Sequence, residues 1–256
     1  MDSIKTAKNG LFPQNPKYLL DAISIYNECL PLLTENGKML TKIFKDKSCP
    51  KYIVCCHDSI KRIRDNILTL TKLPVNQDTI TPTKLITRAV ITDVITLLYI
   101  LLQEPQNRNI VCDALDLKSA KSILEALNKR QELCNLCNND NYKIELSSPI
   151  NYLKTEIDRL QARASVNDFN PEKSIKGMVD FMLNHDDIEV RFYHYMLSSF
   201  YKILSQSEHY SSINRFCSFY NEQENFSFSE YARVIYGALN YINNLLNKAI
   251  EPYISE

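Results

Sequence analysis

Two groups of residues in this chain have the types and spacing that chemistry requires. Arg88 and Asp93 stand inside the otherwise apolar run Lys84 to Leu102, KLITRAVITDVITLLYILL. About a hundred residues later His194, Ser198, Tyr201, Ser205 and then Glu208 or His209 recur at i, i+4, i+7, i+11 and i+14/15. That spacing projects their side chains from one side of a single helix. A guanidinium is a permanent cation suited to an anionic group, and an imidazole titrates near neutral pH. Arg88 and His209 are therefore the candidate catalytic pair, and Asp93, His194, Tyr201, Ser205 and Glu208 the candidate binding groups. Arg88, Thr92 and Thr96, at four-residue steps, form the opposing face. The plainer reading of the same residues is a satisfied polar core that fixes helix register.

The elements that must position these groups follow from periodicity. The run from about 84 to 102 is apolar on every side, which marks a helix wrapped by others. Two charges inside it need partners, because a buried unpaired charge is costly. The helix over Glu189 to Tyr210 is expected to supply them. Its Val190, Tyr193, Leu197, Phe200 and Leu204 form a packing stripe, with the polar stripe alongside. Asp93 lies five residues from Arg88, about 140° round the helix, so the two need not share a partner.

Upstream, Leu19, Leu20, Ile23, Tyr26 and Leu30 predict a first helix, with Pro31 placed to kink or break it. Lys51 to Leu70 predicts a second, whose Lys61, Arg62 and Arg64 read as a solvated basic face. Thr81-Pro82 is expected to cap the central helix. Asn107 to Cys137 is predicted helical with an interruption near Asp116, Ile150 to Ala164 follows, and a short helix runs to Asn184. A last helix, capped by Ser227 or Ser229, extends to Ile250. The fold expected is all-α, a multi-helix bundle around the central helix. The chain reads as a single helical domain, 1–256, with a boundary or mobile loop near 138–148, where Asn138-Asn139-Asp140-Asn141 has the composition of a turn.

Composition agrees with long helices: four glycines, ten prolines, fifteen tyrosines and no tryptophan. Thirty basic residues balance thirty acidic ones, so no global field steers the molecule toward nucleic acid or anionic lipid. No segment reads as a signal peptide or a membrane span, so the protein is expected in the cytoplasm. The eight cysteines read as buried thiols. Cys134 and Cys137 form a C-x2-C that nothing nearby answers, although His57 would be a distant third ligand; no metal and no cofactor are expected. Gly-rich phosphate loops, nucleophile elbows and di-iron patterns are absent.

Arg88-x4-Asp93 on an apolar helix, followed by Tyr201-x3-Ser205-x3-His209, resembles an uncharacterised bacterial all-α family. In that family an Arg-x4-acid helix is paired with a Tyr/Ser-rich helix ending in Ser-x3-His. The pattern is also distantly similar to abortive-infection and HEPN-type helical proteins, some of which are metal-independent ribonucleases. Their Arg-x4-6-His hallmark is absent, the nearest in-order pair being Arg191-x2-His194. The resemblance implies a helical fold with an Arg/His pocket. Three functions are then expected as alternatives. One is a cytoplasmic, defence-related bundle with a buried Arg/Tyr/Ser/His cluster. Another is an RNA- or nucleotide-binding protein or ribonuclease, in which Arg88 offsets phosphorane charge and His209 moves the 2′-hydroxyl proton. The last is a non-catalytic interaction module, homo-oligomeric or bound to a protein partner, presenting Tyr193, Tyr195, Tyr210, Tyr220 and Tyr231.

Overall fold

The computed structural model describes residues 16–45, 49–74, 80–136, 146–164, 169–206 and 228–254. These form eight α-helices: α1 (Pro16–Phe44), α2 (Lys51–Lys72), α3 (Ile80–Leu101), α4 (Arg108–Leu136), α5 (Ser147–Ala164), α6 (Ile175–Leu183), α7 (Ile188–Gln206) and α8 (Phe228–Ile250). Short 3-10 turns occupy Pro105–Asn107 and Glu251–Tyr253. Among the described residues there is no strand, so the fold is the all-α bundle that the periodicity predicts. No helix among them is long and apolar enough to cross a membrane. Packing divides the chain into two compact units, Met1–Leu102 with Ile175–Glu256, and Gln103–Ser174. The turn expected near 138–148 falls within the second unit, and residues 137–145 lie outside those described.

In the first unit, α1 buries Ala22, Tyr26, Cys29, Leu33, Asn36, Leu40 and Ile43. These alternate four- and three-residue steps, the seam of a helix packed nearly parallel to its neighbour. On α2 the residues Ile53, Cys56, Ile60, Ile63, Ile67 and Leu70 keep the same rhythm, and the two helices pack together. Leu20, expected in the stripe, is instead 57% exposed. Pro31 sits inside α1, which neither breaks nor ends there. Proline removes one ladder hydrogen bond, to the carbonyl of Asn27. Both residues are exposed, so water can solvate the released carbonyl.

The central helix is α3. It buries Val90, Ile91, Val94, Ile95 and every residue from Leu97 to Leu101, and is packed by α2, α6, α7 and α8. It begins at Ile80, so Thr81 and Pro82 lie in its first turn rather than at the cap; proline is tolerated there because first-turn N–H groups have no helical acceptor. The last helix, α8, carries the longest buried face, from Phe228 to Ile250. Tyr52 at the start of α2 donates to the carbonyl of Ala249 at the end of α8, 2.8 Å away.

The second unit is built on α4 and α5. Leu117, Ala120, Ile157 and Leu160 form its core, flanked by Leu124 and Leu153. Arg163 near the end of α5 reaches Asp113 near the start of α4 at 3.7 Å, so the pair is antiparallel. The interruption expected near Asp116 is absent: α4 runs unbroken from 108 to 136. One exposed aspartate costs a helix only about 0.7 kcal/mol, and the segment holds no glycine or proline.

Because α3 organises the first unit, truncating it should be far more costly than truncating an exposed leucine. Ile95→Ala is expected to lower unfolding free energy by about 2–5 kcal/mol, whereas Leu20→Ala should change it by less than about 0.5 kcal/mol. Urea titration of both variants checks the contrast.

Candidate functional site

Arg88 and Tyr201 meet where α3 packs on α7. The guanidinium donates from Nη2 to the Tyr201 phenol oxygen at 3.3 Å, and its Cζ stands 5.1 Å from the centre of the ring. One side chain thus serves as acceptor and as π face for the same cation. The phenol oxygen accepts from Arg88, so its own hydrogen is directed elsewhere. A fixed cation beside a phenol donor is chemically an anion-recognition pair.

The rest of the two polar stripes is occupied locally. Thr92 donates to the carbonyl of Arg88 at 2.9 Å and Thr96 to that of Thr92 at 2.8 Å. Ser205 donates to the Tyr201 carbonyl at 2.6 Å and Ser198 to the Tyr195 carbonyl at 3.3 Å. A hydroxyl has one proton to give, and each of these gives it to its own helix. His194, 9% exposed, places Nδ1 2.7 Å from the Val179 carbonyl on α6. A carbonyl only accepts, so Nδ1 carries the proton. The single continuous stripe expected from spacing therefore divides: Tyr201 faces α3 and His194 faces α6. Seven residues of helix separate the two by about 10 Å, enough to change neighbours. Glu208 and His209 lie outside the described residues.

Asp93 is held by a different helix from the one expected. Arg62 of α2 grips it with Nη2 at 2.8 Å from Oδ1 and Nε at 3.3 Å from Oδ2, a two-pronged ion pair. Ser59 accepts a further bond from the same guanidinium at 3.3 Å. The carboxylate raises the Arg62 pKa above its usual value, chiefly through this hydrogen bond. Arg62, which reads in sequence as part of a solvated basic face, is thus the partner of the second charge on α3.

A carboxylate–phenol cluster absent from the sequence reading lies at the start of α7. Asp187 caps the helix, accepting from the Glu189 backbone N–H at 2.8 Å through Oδ1. Its Oδ2 accepts from the Tyr241 phenol of α8 at 2.6 Å. One turn on, Tyr193 donates to Glu189 at 3.0 Å, and the Tyr193 and Tyr241 rings stand 5.8 Å apart. Gly237 leaves the room: a Cβ there would sit 3.2 Å from the Tyr193 hydroxyl. Burial first, and then the paired carboxylates, push both phenols well above the usual tyrosine range. Asp187 is held below the usual carboxylate range, first by Tyr241 and then by the Glu189 N–H. The cap is legible in His185-Asp186-Asp187; the distant phenol is not.

At the α1–α2 contact, Thr41 Oγ1 lies 3.2 Å from His57 Nε2, and His57 Nδ1 lies 3.1 Å from Asp58. This has the order of a hydrolytic triad, but Thr41 gives its proton to the Gly37 carbonyl at 2.7 Å, so no activated hydroxyl results. Among the described residues no group of three or more His, Cys, Asp or Glu side chains is placed to hold a metal ion. Of the tyrosines expected on the surface, Tyr193 and Tyr231 are each 4% exposed and belong to the core, while Tyr195 is 62% exposed. Tyr210 and Tyr220 lie outside the described residues. Buried tyrosines here follow the packing stripe, which outweighs the general suitability of phenols for interfaces. No family model, curated protein or solved structure matches the chain.

The Asp187 latch makes a pH-dependent contribution whose sign is fixed. Its folded pKa lies below the unfolded value of about 3.9, so its contribution is present above that pH and lost as pH falls through the folded value. Tyr241→Phe should lower stability by about 1 kcal/mol at neutral pH, with the gap to wild type closing toward acid. Thermal melts of both proteins from neutral pH downward check this.

Proposed function

We propose that this protein is a non-catalytic helical interaction module that engages another protein chain through α7. The observation that carries the reading is the outer face of that helix. Ile188, Phe192 and Tyr195 are 76%, 50% and 62% exposed, at steps of four and three residues that set them in one row. Such a row matches the way one amphipathic helix receives another. The polar groups elsewhere on α3 and α7 support the same reading, since Thr92, Thr96, Ser198 and Ser205 bond to carbonyls of their own helices and His194 and Asp93 to neighbouring helices, rather than facing an open site. Placing a photo-crosslinking amino acid at Tyr195 in cells should give a discrete protein adduct that Phe192→Asp abolishes. The same group at exposed Lys61 should give none. Adducts absent at Tyr195, or identical at both positions, would refute the reading.

A second reading is favoured by one contact, that of Arg88 with Tyr201. A cation fixed beside a phenol suits phosphate, and with His209 it would supply the groups of a metal-independent ribonuclease of HEPN type. Under the interaction-module reading, mixed RNA incubated with the protein in EDTA stays intact. Cleavage that disappears in both Arg88→Ala and His209→Ala would put the ribonuclease in its place.

A further inference from the structure

We infer that the partner seated on the outer face of α7 is a second copy of this chain, in an antiparallel, two-fold arrangement. The inference rests on the interaction-module reading and specifies its occupant. Self-pairing through one helix requires a row that is complementary to itself when reversed, and the row on α7 meets that condition. The exposed positions Ile188, Phe192, Tyr195, Ser199 and Lys202 keep four- and three-residue steps along one face, with exposed Asp186 just ahead of the helix. Reversal about a point between Tyr193 and His194 lays Phe192 of one copy on Tyr195 of the other. The same operation sets Ile188 over Ser199, a large side chain against a small one, and brings Asp186 against Lys202. All three pairs are centred within half a residue of the same point, so one two-fold axis satisfies them together.

The charges reinforce that direction. The acids Asp186, Asp187 and Glu189 outnumber exposed Arg191 at the start of α7, and Lys202 stands in its last turns, so an antiparallel pair sets the net acidic end of one copy against the basic end of the other where a parallel pair would join like ends. Antiparallel alignment also opposes the two helix dipoles. The formal net charge of zero leaves no overall repulsion between copies. A single row of exposed apolar residues makes a small interface, so the association is weak and concentration-dependent.

Sedimentation velocity over a concentration series tests this, with far-ultraviolet circular dichroism to confirm that each variant folds. Wild type should shift from monomer toward dimer, and Phe192→Asp should remain monomeric. Lys202→Glu should weaken association about fivefold, because the change acts twice across the axis. The double variant Asp186→Lys/Lys202→Glu, which exchanges the two charges, should return to within about twofold of wild type. If Phe192→Asp does not fold, the charge exchange decides alone. Wild type that stays monomeric at every concentration overturns the second copy, as does a dimer indifferent to these substitutions. Were the Tyr195 crosslink to a different protein to persist in that case, the interaction module would stand and only its occupant would fall; with neither dimer nor adduct, both fall.

Discussion

The first unit depends on burying a helix that carries two charges. α3 is enclosed along most of its length, and neither Arg88 nor Asp93 can be left in such surroundings without compensation. Each is met by a different neighbour. The Arg62 fork holds Asp93 from α2, and the Tyr201 phenol holds Arg88 from α7. Because the two charges lie about 140° apart on the helix, the pins act from different directions. The apolar face of α3 is wide, and from Arg88 to Leu101 only the side through Arg88, Ala89, Thr92, Asp93 and Thr96 is less than fully buried. Burial thus fixes its rotation loosely, whereas these two contacts are directional. They therefore set its rotation and register, and the apolar surface supplies the bulk of the stability.

Phenols do much of the polar work in this bundle. Tyr52 closes the end of α8, Tyr201 receives Arg88, and Tyr193 and Tyr241 tie the start of α7 to acidic groups. A phenol brings a large apolar ring with a single polar atom, so it can fill the space between helices and still satisfy a buried partner. In a chain with many tyrosines and few glycines, this is how long helices are joined laterally without relying on loops. The outer face of α7 departs from that pattern. There the aromatic groups point away from the unit, on the same helix whose inner face is fully engaged.

Helix placement is legible in the sequence because apolar residues recur at a period close to 3.6, and the central helix stands out by the length of its apolar run. The need of Arg88 and Asp93 for partners is legible too, since a charge inside such a run is tolerated only when it is paired. Arg62 is hidden because a basic residue on a helix looks the same in sequence whether it meets water or a carboxylate thirty-one positions away. The seam of α1 is obscured for a related reason. Its buried positions include Ala22, Cys29 and Asn36, whose small or polar side chains carry little hydrophobic signal, while Leu20 stands out by its size. Tyr241 cannot be matched to Asp187 from sequence either, as the pairing exists only once α7 and α8 are side by side.

The uneven distribution of tyrosine has a spectroscopic consequence. The chain contains no tryptophan, so its near-ultraviolet emission comes from phenols. Within the range of the second unit these are Tyr142 and Tyr152, and Tyr152 is 70% exposed, leaving its surroundings little changed by unfolding. Among the described phenols, intrinsic fluorescence therefore watches chiefly the unit built on α3, while backbone ellipticity sees both units. The two signals superimpose only if the units melt together, so the protein carries its own reporter of whether its two halves are cooperative.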